Sequence, residues 1–494
     1  MRCKVKKFLG KSITFDDVLL IPQYSNILPK DVNLTTNLTK NIRLNIPIVS
    51  ACMDTVTESE LAIALAREGG IGIIHKNMSI DLQAREVYKV KQSDHYIIYN
   101  PITLQKNSSI RDLKHLLMKY KITSVPIVDN EKKLLGIATS RNVRYELNKN
   151  KKVCEIMQKQ QDCITTRLES LQYAQEILKK NKLEILPIVN DEFILQGIVT
   201  NKDTEKKFYS PNAVTDQTGK LLVGASIGIT NDMFDRIIQL NEVNVDVLVI
   251  DTAHGYSSKV LNAIEKIKGT FSNIQLIVGN IATASAAKAL ISAGADAIKV
   301  GIGPGAICTT RVITGVGIPQ VTAIYNCAKV ALKYNIPLIA DGGMKYSGDL
   351  AKALAAGADT CMIGFLLAGT DESASKTLFY KNKPFKAYRG MGSRAAMLSG
   401  SRDRYFQDEN EQQQNKSSKL VAEGVEGCVP CKGKLSDVIY QLVGGIKASM
   451  GYCGVNTIKK FQEKSQFVEI TSSGLIENHP HNIFITKDEL NYSK

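Results

Sequence analysis

Short apolar runs alternate with longer amphipathic segments along most of the chain. Runs dense in Val, Ile, Leu and Ala predict strands of a parallel sheet that is covered on both faces. Between the later runs, the segments 284–293 and 349–356 have helical character, and Gly357 follows the second as a C-terminal cap. Eight strands with intervening helices predict a (β/α)8 TIM barrel of the α/β class, in which functional residues follow the strands. The predicted strands are 47–50, 70–74, 221–225, 245–250, 276–278, 297–300, 337–340 and 361–363.

An internal repeat interrupts this pattern between the second and third predicted strands. The sequence Pro-Ile-Val at 126–128 recurs at 187–189, and Gly-Ile-Ala-Thr at 136–139 recurs at the same offset as Gly-Ile-Val-Thr at 197–200. Equal offsets indicate a duplicated unit, and each copy has the order helix, strand, strand, helix. The predicted organisation is a barrel in two parts, 1–92 and 211–494, with an insert at 93–210 made of copies at about 93–150 and 151–210.

Composition excludes several classes of protein. With 494 residues, 44% of them hydrophobic and 22% charged, the chain is typical of a globular protein of two or three domains. It has no apolar run near the ~20 residues that span a bilayer, and the basic N-terminus lacks the apolar core of a signal peptide. Its ten cysteines indicate reduced thiols in a cytoplasmic protein. The net charge of +15 comes from scattered lysines, which favour phosphorylated small ligands over nucleic acid.

Polar and glycine-rich residues follow the last five predicted strands, where a barrel places its active site. Any single one of them is explained as a cap or a turn residue, but five consecutive strand ends are not. Glycines after the seventh and eighth strands suit the phosphate site that such barrels often form there. The residues are Asp251 and His254, Asn280, Cys308, the run 341–343, and Gly364.

Cys308 is the strongest candidate for chemistry. It lies in the loop 301–320, where three glycines and a proline precede it and Thr310 and Arg311 follow it. Glycines let a ligand approach main-chain groups closely. Nearby positive charge and loop amides lower the pKa of a thiol, and the thiolate is the nucleophilic form. The loop therefore favours a catalytic thiol over a buried structural cysteine.

This loop resembles the active-site loop of the inosine-5′-monophosphate (IMP) dehydrogenase and guanosine monophosphate (GMP) reductase family. The resemblance extends from the Thr-Phe-Asp-Asp-Val-Leu-Leu sequence at 14–20 to the His-Pro-His sequence near the C-terminus. It implies that Cys308 attacks C2 of the purine, with help from Thr310, in an oxidation of IMP to xanthosine monophosphate (XMP) by NAD through a thioimidate. That oxidation is the committed step of guanine nucleotide synthesis.

The resemblance also implies an assembly and a cation. A homotetramer is expected, with stacking into octamers left open, and no membrane partner. Potassium is expected on main-chain oxygens. Its ligands would be Gly303, Gly305 and Cys308, together with Glu477, Asn478 and His479, which complete the site of a neighbouring subunit.

The resemblance also implies which residues of this chain bind the ligands, position by position. Family members usually have serines that contact the substrate phosphate where this chain has Ala306 and Phe365. Each lost hydrogen bond should weaken phosphate binding by about 0.5–1.5 kcal/mol. The expected substrate contacts are Ala306, Asp341, Gly342, Gly343, Gly364, Phe365, Tyr388, Arg389, Gly390, Met391, Gly392 and Glu423. The expected NAD contacts are Asp251, His254, Asn280, Gly301, Ile302 and Gly303.

A glycine-rich, polar segment at about 390–430 predicts a mobile flap. In the dehydrogenases of the family an Arg-Tyr pair on such a flap enters the cofactor site after NADH leaves, and the arginine activates water. Arg404 and Tyr405 match this pair, and Glu423 matches the acidic residue of the flap. Without the resemblance, Arg404 would be assigned to a surface salt bridge, because the pKa of free arginine is above about 12.

The duplicated insert resembles the tandem cystathionine-β-synthase (CBS) modules, or Bateman domain, that bind ATP-type or GTP-type regulatory nucleotides. An acidic residue after the second strand often contacts a ribose in such modules. Asp203 holds this position in the second copy and Asn142 in the first, and a purely architectural insert is the alternative.

Two other functions stay open at this point. GMP reductase is the alternative enzyme, although its members generally lack such an insert and the Arg-Tyr pair. A non-catalytic nucleotide sensor is the other, motivated by the two altered phosphate positions. Cys428 and Cys431 form a C-x-x-C sequence without a second pair or a histidine at zinc spacing, so no metal site is expected there.

Overall fold

A computed structural model describes residues 7–93, 98, 101–120, 122–144, 146, 148, 150–167, 171–200, 210–407, 420–486 and 489–492. The chain forms two compact units. The first comprises Met1–Lys91, Asn212–Asp216 and Leu221–Lys494, and the second comprises Gln92–Pro211 and Gln217–Lys220. In sequence, the second unit lies where the insert was predicted.

Eight parallel strands of the first unit close into a barrel, which confirms the predicted (β/α)8 architecture. Each strand pairs with its neighbours in chain order, and the second and third pair directly although the insert separates them in sequence. Almost every strand residue is buried, because neighbouring side chains fill the barrel on one side and helices cover the other. The strands are β1 (Ile48–Ser50), β2 (Ile71–Ile74), β3 (Val223–Ile227), β4 (Val247–Asp251), β5 (Gln275–Ile281), β6 (Ala297–Val300), β7 (Leu338–Asp341) and β8 (Thr360–Ile363).

Two strands continue past the predicted apolar runs into polar residues. β4 ends at Asp251, and β5 runs through Asn280 to Ile281, whereas the runs end at 250 and 278. Asp251 still pairs in register with Gly279, so backbone hydrogen bonding sets the strand ends here. As a result, these polar groups sit on rigid strands and not on the loops that follow them.

Helices alternate with the strands and bury one apolar stripe each. Ser257 and Thr283 cap two of them by accepting hydrogen bonds from Val260 N (3.4 Å) and Ala286 N (3.3 Å). Gly357, the predicted cap, has φ +114°, and a Cβ there would lie 2.5 Å from the Cβ of Ala328. The helices are α1 (Ser59–Arg67), α2 (Ile80–Ser93), α3 (Met233–Glu242), α4 (Ser258–Thr270), α5 (Ala284–Ser292), α6 (Gln320–Lys333), α7 (Ser347–Ala355) and α8 (Leu435–Tyr452).

Smaller elements surround the barrel. Between β8 and α8 lies an antiparallel sheet of Thr377–Tyr380, Lys383–Arg389 and Glu426–Pro430. Val18–Leu20 pairs with Phe467–Glu469 near the termini. Short helices are Thr310–Thr314, Phe365–Ala368, Arg394–Ala396, Ile458–Lys464 and Ser472–Glu477, and a 3-10 turn spans Arg402–Tyr405. Within the described ranges, every helix is too short or too polar to cross a membrane.

The second unit contains two similar hairpins, as the repeat predicted. In the first copy, helix Ile110–Tyr120 precedes strands Ser124–Val128 and Leu134–Thr139 and the short helix Ser140–Val143. In the second, helix Leu171–Lys180 precedes strands Ile185–Val189 and Leu195–Thr200. Both hairpins shift register at equivalent steps, Ile127/Val128 and Ile188/Val189, which is structural support for a duplication.

The two candidate ribose positions of this unit differ in what can be described. Asn142 Oδ1 accepts hydrogen bonds from Thr139 N (2.8 Å) and Oγ1 (2.6 Å), so it closes the N-terminus of its own helix. Asp203 lies outside the described residues. The insert also has apolar clusters of its own, among them Val128, Leu134, Val189, Leu195 and Ile198, which join the two copies.

We expect a variant in which a short Gly-Ser linker replaces 93–210 to fold and to keep its turnover within about twofold, because a unit with its own core behaves as a separable domain. Circular dichroism would check folding, and the steady-state rate would check catalysis. The variant should also lose any response to ATP or GTP that the full-length chain shows. Recovery of only unfolded protein would instead mean that the insert supports the barrel.

Candidate active site

A cavity of about 350 Å³ opens beside the carboxyl ends of the barrel strands. This volume is in the range of small-molecule sites. Most of the predicted site residues lie together on its wall. They are Asp251, Asn280, Gly301, Gly303, Gly305, Ala306, Cys308, Asp341, Gly342, Gly343, Gly364, Phe365, Tyr388, Gly390, Met391, Gly392, Arg404, Tyr405 and Glu423.

Seven predicted residues do not line this cavity. Thr310 lies behind the nucleophile, with its Oγ1 3.1 Å from Cys308 Sγ. The Arg389 guanidinium pairs with Asp54 at 2.6 Å, and the substrate contact of this residue stays a prediction. His479 packs against Tyr346, with 5.9 Å between ring centroids. The remaining four are His254, Ile302, Glu477 and Asn478.

Arg311 fixes the shape of the Cys308 loop. Its Nε donates to the carbonyl of Ile302 (2.9 Å) and its Nη2 donates to that of Ile318 (2.6 Å). Gly303 has φ +73°, and a Cβ there would lie 2.6 Å from Arg311 Cγ, so the arginine stem needs the glycine. Burial lowers the pKa of Arg311. Its hydrogen bonds go to the two ends of the loop, while its charge also interacts with Cys308, and activation of the thiol by this charge stays a prediction.

The wall beside Cys308 is formed by main-chain pairing with the segment that contains Glu423. Thr309 N donates to Glu423 O (2.9 Å), and Val425 N donates to Ile307 O (3.1 Å). Glu423 N in turn donates to Gly392 O at 2.9 Å. The thiol itself lies 3.7 Å from Glu423 O. The segments 390–392 and 423–425 thus hold the nucleophile in place from one side.

A fully buried lysine connects three strand ends beneath the cavity. Lys299 of β6 is 0% exposed, and its ammonium lies 2.8 Å from Asp251 Oδ1 and 2.7 Å from Asp341 Oδ2. It also donates to Asn280 Oδ1, while Asn280 Nδ2 donates to Asp341 Oδ2 at 2.8 Å. Because two carboxylates face one ammonium, the cluster carries one uncompensated negative charge.

Arg404 supplies the balancing positive charge. Its guanidinium pairs with Asp251 Oδ2, and its carbonyl accepts a hydrogen bond from Ala253 N at 2.9 Å. The thiol of Cys52 donates to the same carboxylate oxygen at 3.2 Å, and burial raises the pKa of this thiol, which keeps it a neutral donor. Burial also raises the pKa of the neighbouring Tyr405 hydroxyl. Arg404 and Tyr405 are therefore anchored to the barrel wall beside Cys308.

The opposite end of the cavity has main-chain amides and one apolar ring. Gly342 and Gly343 have φ +87° and +85°, and a Cβ at Gly364 would lie 3.1 Å from the Tyr388 hydroxyl. The Phe365 ring lies 6.3 Å from the Tyr388 ring, at an angle of 50°. Burial raises the pKa of Tyr388, so its hydroxyl stays a donor at neutral pH.

Sequence reasoning missed Lys299 and Cys52, although both touch Asp251. The signal for Lys299 was available, because a lysine inside an apolar strand run is rarely buried without paired carboxylates. No comparable signal marks Cys52, since buried cysteines are common in cores. It is recognised only through its contact with Asp251.

Comparison with known proteins identifies relatives over nearly the whole chain. The sequence model of the IMP dehydrogenase / GMP reductase domain matches residues 12–481. Inosine-5′-monophosphate dehydrogenases from Bacillus subtilis and Aquifex aeolicus are each 52% identical to the chain, over 489 and 492 residues and 99% of both sequences. A crystal structure of GMP reductase from Trypanosoma brucei with guanosine 5′-monophosphate has a TM-score of 0.83 at 38% identity, covering 96% of this chain and 99% of that one.

Replacement of Lys299 by methionine should lower the free energy of unfolding by about 3–5 kcal/mol, because it leaves the partly buried Asp341 without its cation and Asp251 with Arg404 alone. The urea midpoint of the barrel would measure this loss. Lys89→Met is the matched control, since Lys89 is 60% exposed in its pair with Glu86 and should change stability by less than about 1 kcal/mol. Equal effects of the two substitutions would mean that the buried cluster contributes nothing.

Proposed function

The chain belongs to the IMP dehydrogenase / GMP reductase family, and we propose that it catalyses the dehydrogenase reaction, the oxidation of IMP to XMP by NAD. One observation carries the proposal: Arg404 and Tyr405 line the same cavity as Cys308. The dehydrogenase reaction ends in hydrolysis, whereas reductive removal of ammonia from GMP needs no added water. A pair that can hold a water beside the thiol therefore favours the dehydrogenase.

The insert does not separate the two enzymes. GMP reductases were expected to lack it, yet the alignment with the Trypanosoma brucei reductase covers 96% of this chain and cannot omit a segment of that length. The choice therefore rests on Arg404 and Tyr405 and on the relatives of 52% identity, which are named dehydrogenases.

Substrate binding follows from the groups at the two ends of the cavity. Lys299 and Asn280 both bind Asp341 Oδ2, which leaves Asp341 Oδ1 to accept from the ribose hydroxyls. The amides of Gly343 and Gly364 and the hydroxyl of Tyr388 would donate to the phosphate. At the other end the main chain of 391–392 would meet the purine. This orientation brings C2 of the base toward Cys308.

The first half of the reaction forms a covalent bond to the purine. The thiolate of Cys308 adds to C2, and the hydrogen on C2 leaves as hydride with its electron pair. The chemistry that NAD supplies when bound is acceptance of this hydride. The purine is then a thioimidate joined to Cys308 through sulfur. Thr310, with its hydroxyl 3.1 Å from the sulfur, orients the thiol for the attack.

The second half hydrolyses this bond. A water oxygen bonds to C2, one proton of the water passes to the base, and the C2–S bond breaks to release XMP and the thiolate. The resemblance makes Arg404 the candidate for the base, and its Nε, which is buried and has no hydrogen-bond partner within the described part of the chain, is free to contact the water. A water bound there would satisfy Nε and lie next to the Tyr405 hydroxyl.

Arg404 and NAD would share one of the expected cofactor residues. Asp251 is the charged group expected to bind the cofactor, and in this structure the Arg404 guanidinium occupies it. The arginine and the cofactor therefore compete for one carboxylate. This competition would order the reaction, because Arg404 can reach its place only after the reduced cofactor has left.

A potassium site and an assembly complete the proposal. Carbonyl oxygens bind hard cations, and among the described residues the Gly305 carbonyl accepts a hydrogen bond from the amide of Cys308 alone (3.0 Å), which leaves a lone pair for an ion. Gly303 O and Cys308 O would join it, and 477–479 of a neighbouring subunit would complete the site in a homotetramer. The insert would bind regulatory nucleotides of the ATP or GTP type.

Incubation of the chain with IMP, NAD and potassium should form NADH and XMP, as measured by absorbance and chromatography. Cys308→Ala should lower the rate by more than about a hundredfold, because no other group can form the covalent intermediate. Cys428→Ala is the matched control, since this cysteine is exposed on the antiparallel sheet and should leave the rate unchanged. Formation of IMP and ammonia from GMP and NADPH would instead identify a reductase.

The altered phosphate end gives a second test. Ala306→Ser should lower the KM for IMP by roughly two- to tenfold with little change in kcat, because a regained hydrogen bond acts in ground and transition states alike. Phe365→Ser should act in the same direction. Inosine is the control substrate, since neither variant should improve its use. If both variants weaken IMP, the pocket is built for a different ligand and the sensor alternative is favoured.

A further inference from the structure

The short segment that carries Arg404 and Tyr405 is fixed to the barrel through its preceding residue, Asp403. Lys76, two residues after β2, forms an ion pair with Asp403 Oδ1, and the two side chains are only 11% and 4% exposed. Asp403 Oδ2 is buried and has no partner among the described residues. A buried carboxylate with a single cationic partner depends on that partner, because loss of the cation leaves an unpaired buried charge.

Gly228, the first residue after β3, allows this approach. A Cβ there would overlap Asp403 Oδ2 and would lie 3.1 Å from Lys76 Nζ. Its backbone does not require glycine, since φ is outside the left-handed region, so the glycine is needed for space alone. Any side chain at 228 would force the Asp403 carboxylate to move from its place beside Lys76.

The residues 403 and 404 contact residues at or just after the ends of three neighbouring strands, β2, β3 and β4. Asp403 meets Lys76 and Gly228, and Arg404 meets Asp251 and Ala253. Because Asp403 and Arg404 are adjacent in the chain, the position of Asp403 sets where the Arg404 guanidinium can go. Lys76 and Asp403 touch no reacting atom in this arrangement, because the cavity wall includes Arg404 and neither of them.

We propose that the Lys76–Asp403 ion pair, which packs against Gly228, is a latch that holds Arg404 in place for hydrolysis. While the latch is closed, Arg404 occupies Asp251, the carboxylate expected to bind the cofactor. Lys76 and Asp403 are both positioning residues, and the proposal rests on the proposed dehydrogenase function. The latch acts in one half of the reaction only. Releasing it should slow hydrolysis, leave hydride transfer intact and free Asp251 for the cofactor.

Rapid mixing with IMP and NAD would separate the two halves. In Lys76→Met, Asp403→Asn and Gly228→Ala we expect an unchanged burst of NADH, a steady-state rate lowered on the order of ten- to a hundredfold, and a lower KM for NAD. The combined Lys76→Met/Asp403→Asn variant should be no slower than either single variant, since the pair acts as one unit. Arg404→Ala should show the same burst, a slow steady state and the same gain in cofactor affinity, because it removes the group that occupies Asp251.

Two controls match these substitutions. Lys89→Met removes a surface ion pair, and Gly269→Ala adds a Cβ where nothing lies within 4 Å. Both should leave the burst, the steady state and the KM for NAD unchanged. A slower burst in Lys76→Met and Asp403→Asn would overturn the latch, because these residues would then act in hydride transfer or substrate binding.

Hydrogen exchange tests the latch independently of the reaction. The backbone amides of 397–407 should exchange faster in the three latch variants than in the unsubstituted chain and in the two control variants. If the chain forms no NADH but exchange still rises, the proposed function fails, and with it the role in hydrolysis, whereas the anchoring of the segment by the ion pair is upheld. Unchanged exchange in Asp403→Asn, a nearly isosteric substitution, would overturn the latch whatever the activity.

Discussion

The site depends on one buried ammonium. Lys299 draws together the last residues of β4 and β7 and the amide of β5, and without it two carboxylates would face each other inside the barrel mouth. Charge, and not hydrophobic packing, therefore decides the spacing of these strand ends. Because the lysine is fully buried and every partner sits on a strand, the arrangement is rigid before any ligand arrives.

Asp251 contacts both the rigid Lys299 cluster and Arg404, whose position changes in the proposed reaction. Its Oδ1 accepts a hydrogen bond from the Lys299 ammonium, whereas its Oδ2 accepts one from the Cys52 thiol and pairs with the Arg404 guanidinium. One carboxylate thus has a permanent partner and an exchangeable one. Such a division lets a single acidic residue serve both halves of a two-part reaction, since the fixed oxygen preserves the geometry while the other changes partners.

The barrel was predictable because its strands are continuous apolar runs with helices between them, and the repeat of the insert was predictable from equal offsets. The Cys308 loop was predictable from its glycines. The hydrogen bonds of Arg311 were not predictable, because its carbonyl partners, Ile302 and Ile318, depend on the folded shape of the loop. Likewise, the Asp54 pairing of Arg389 and the Cys52 contact join residues far apart in sequence, so they depend on barrel closure that no local pattern encodes.

The aromatic pair of Phe365 and Tyr388 gives the phosphate end of the cavity a chemical character of its own. Lys432 Nζ lies 5.4 Å from the centroid of the Phe365 ring, but the ring lines the cavity and the lysine does not. A compound that replaces the phosphate of a nucleotide with a flat group would therefore meet the ring. Because the family pattern leads us to expect serine at this position, a ligand that packs on the ring would distinguish this chain from a relative that has the serine.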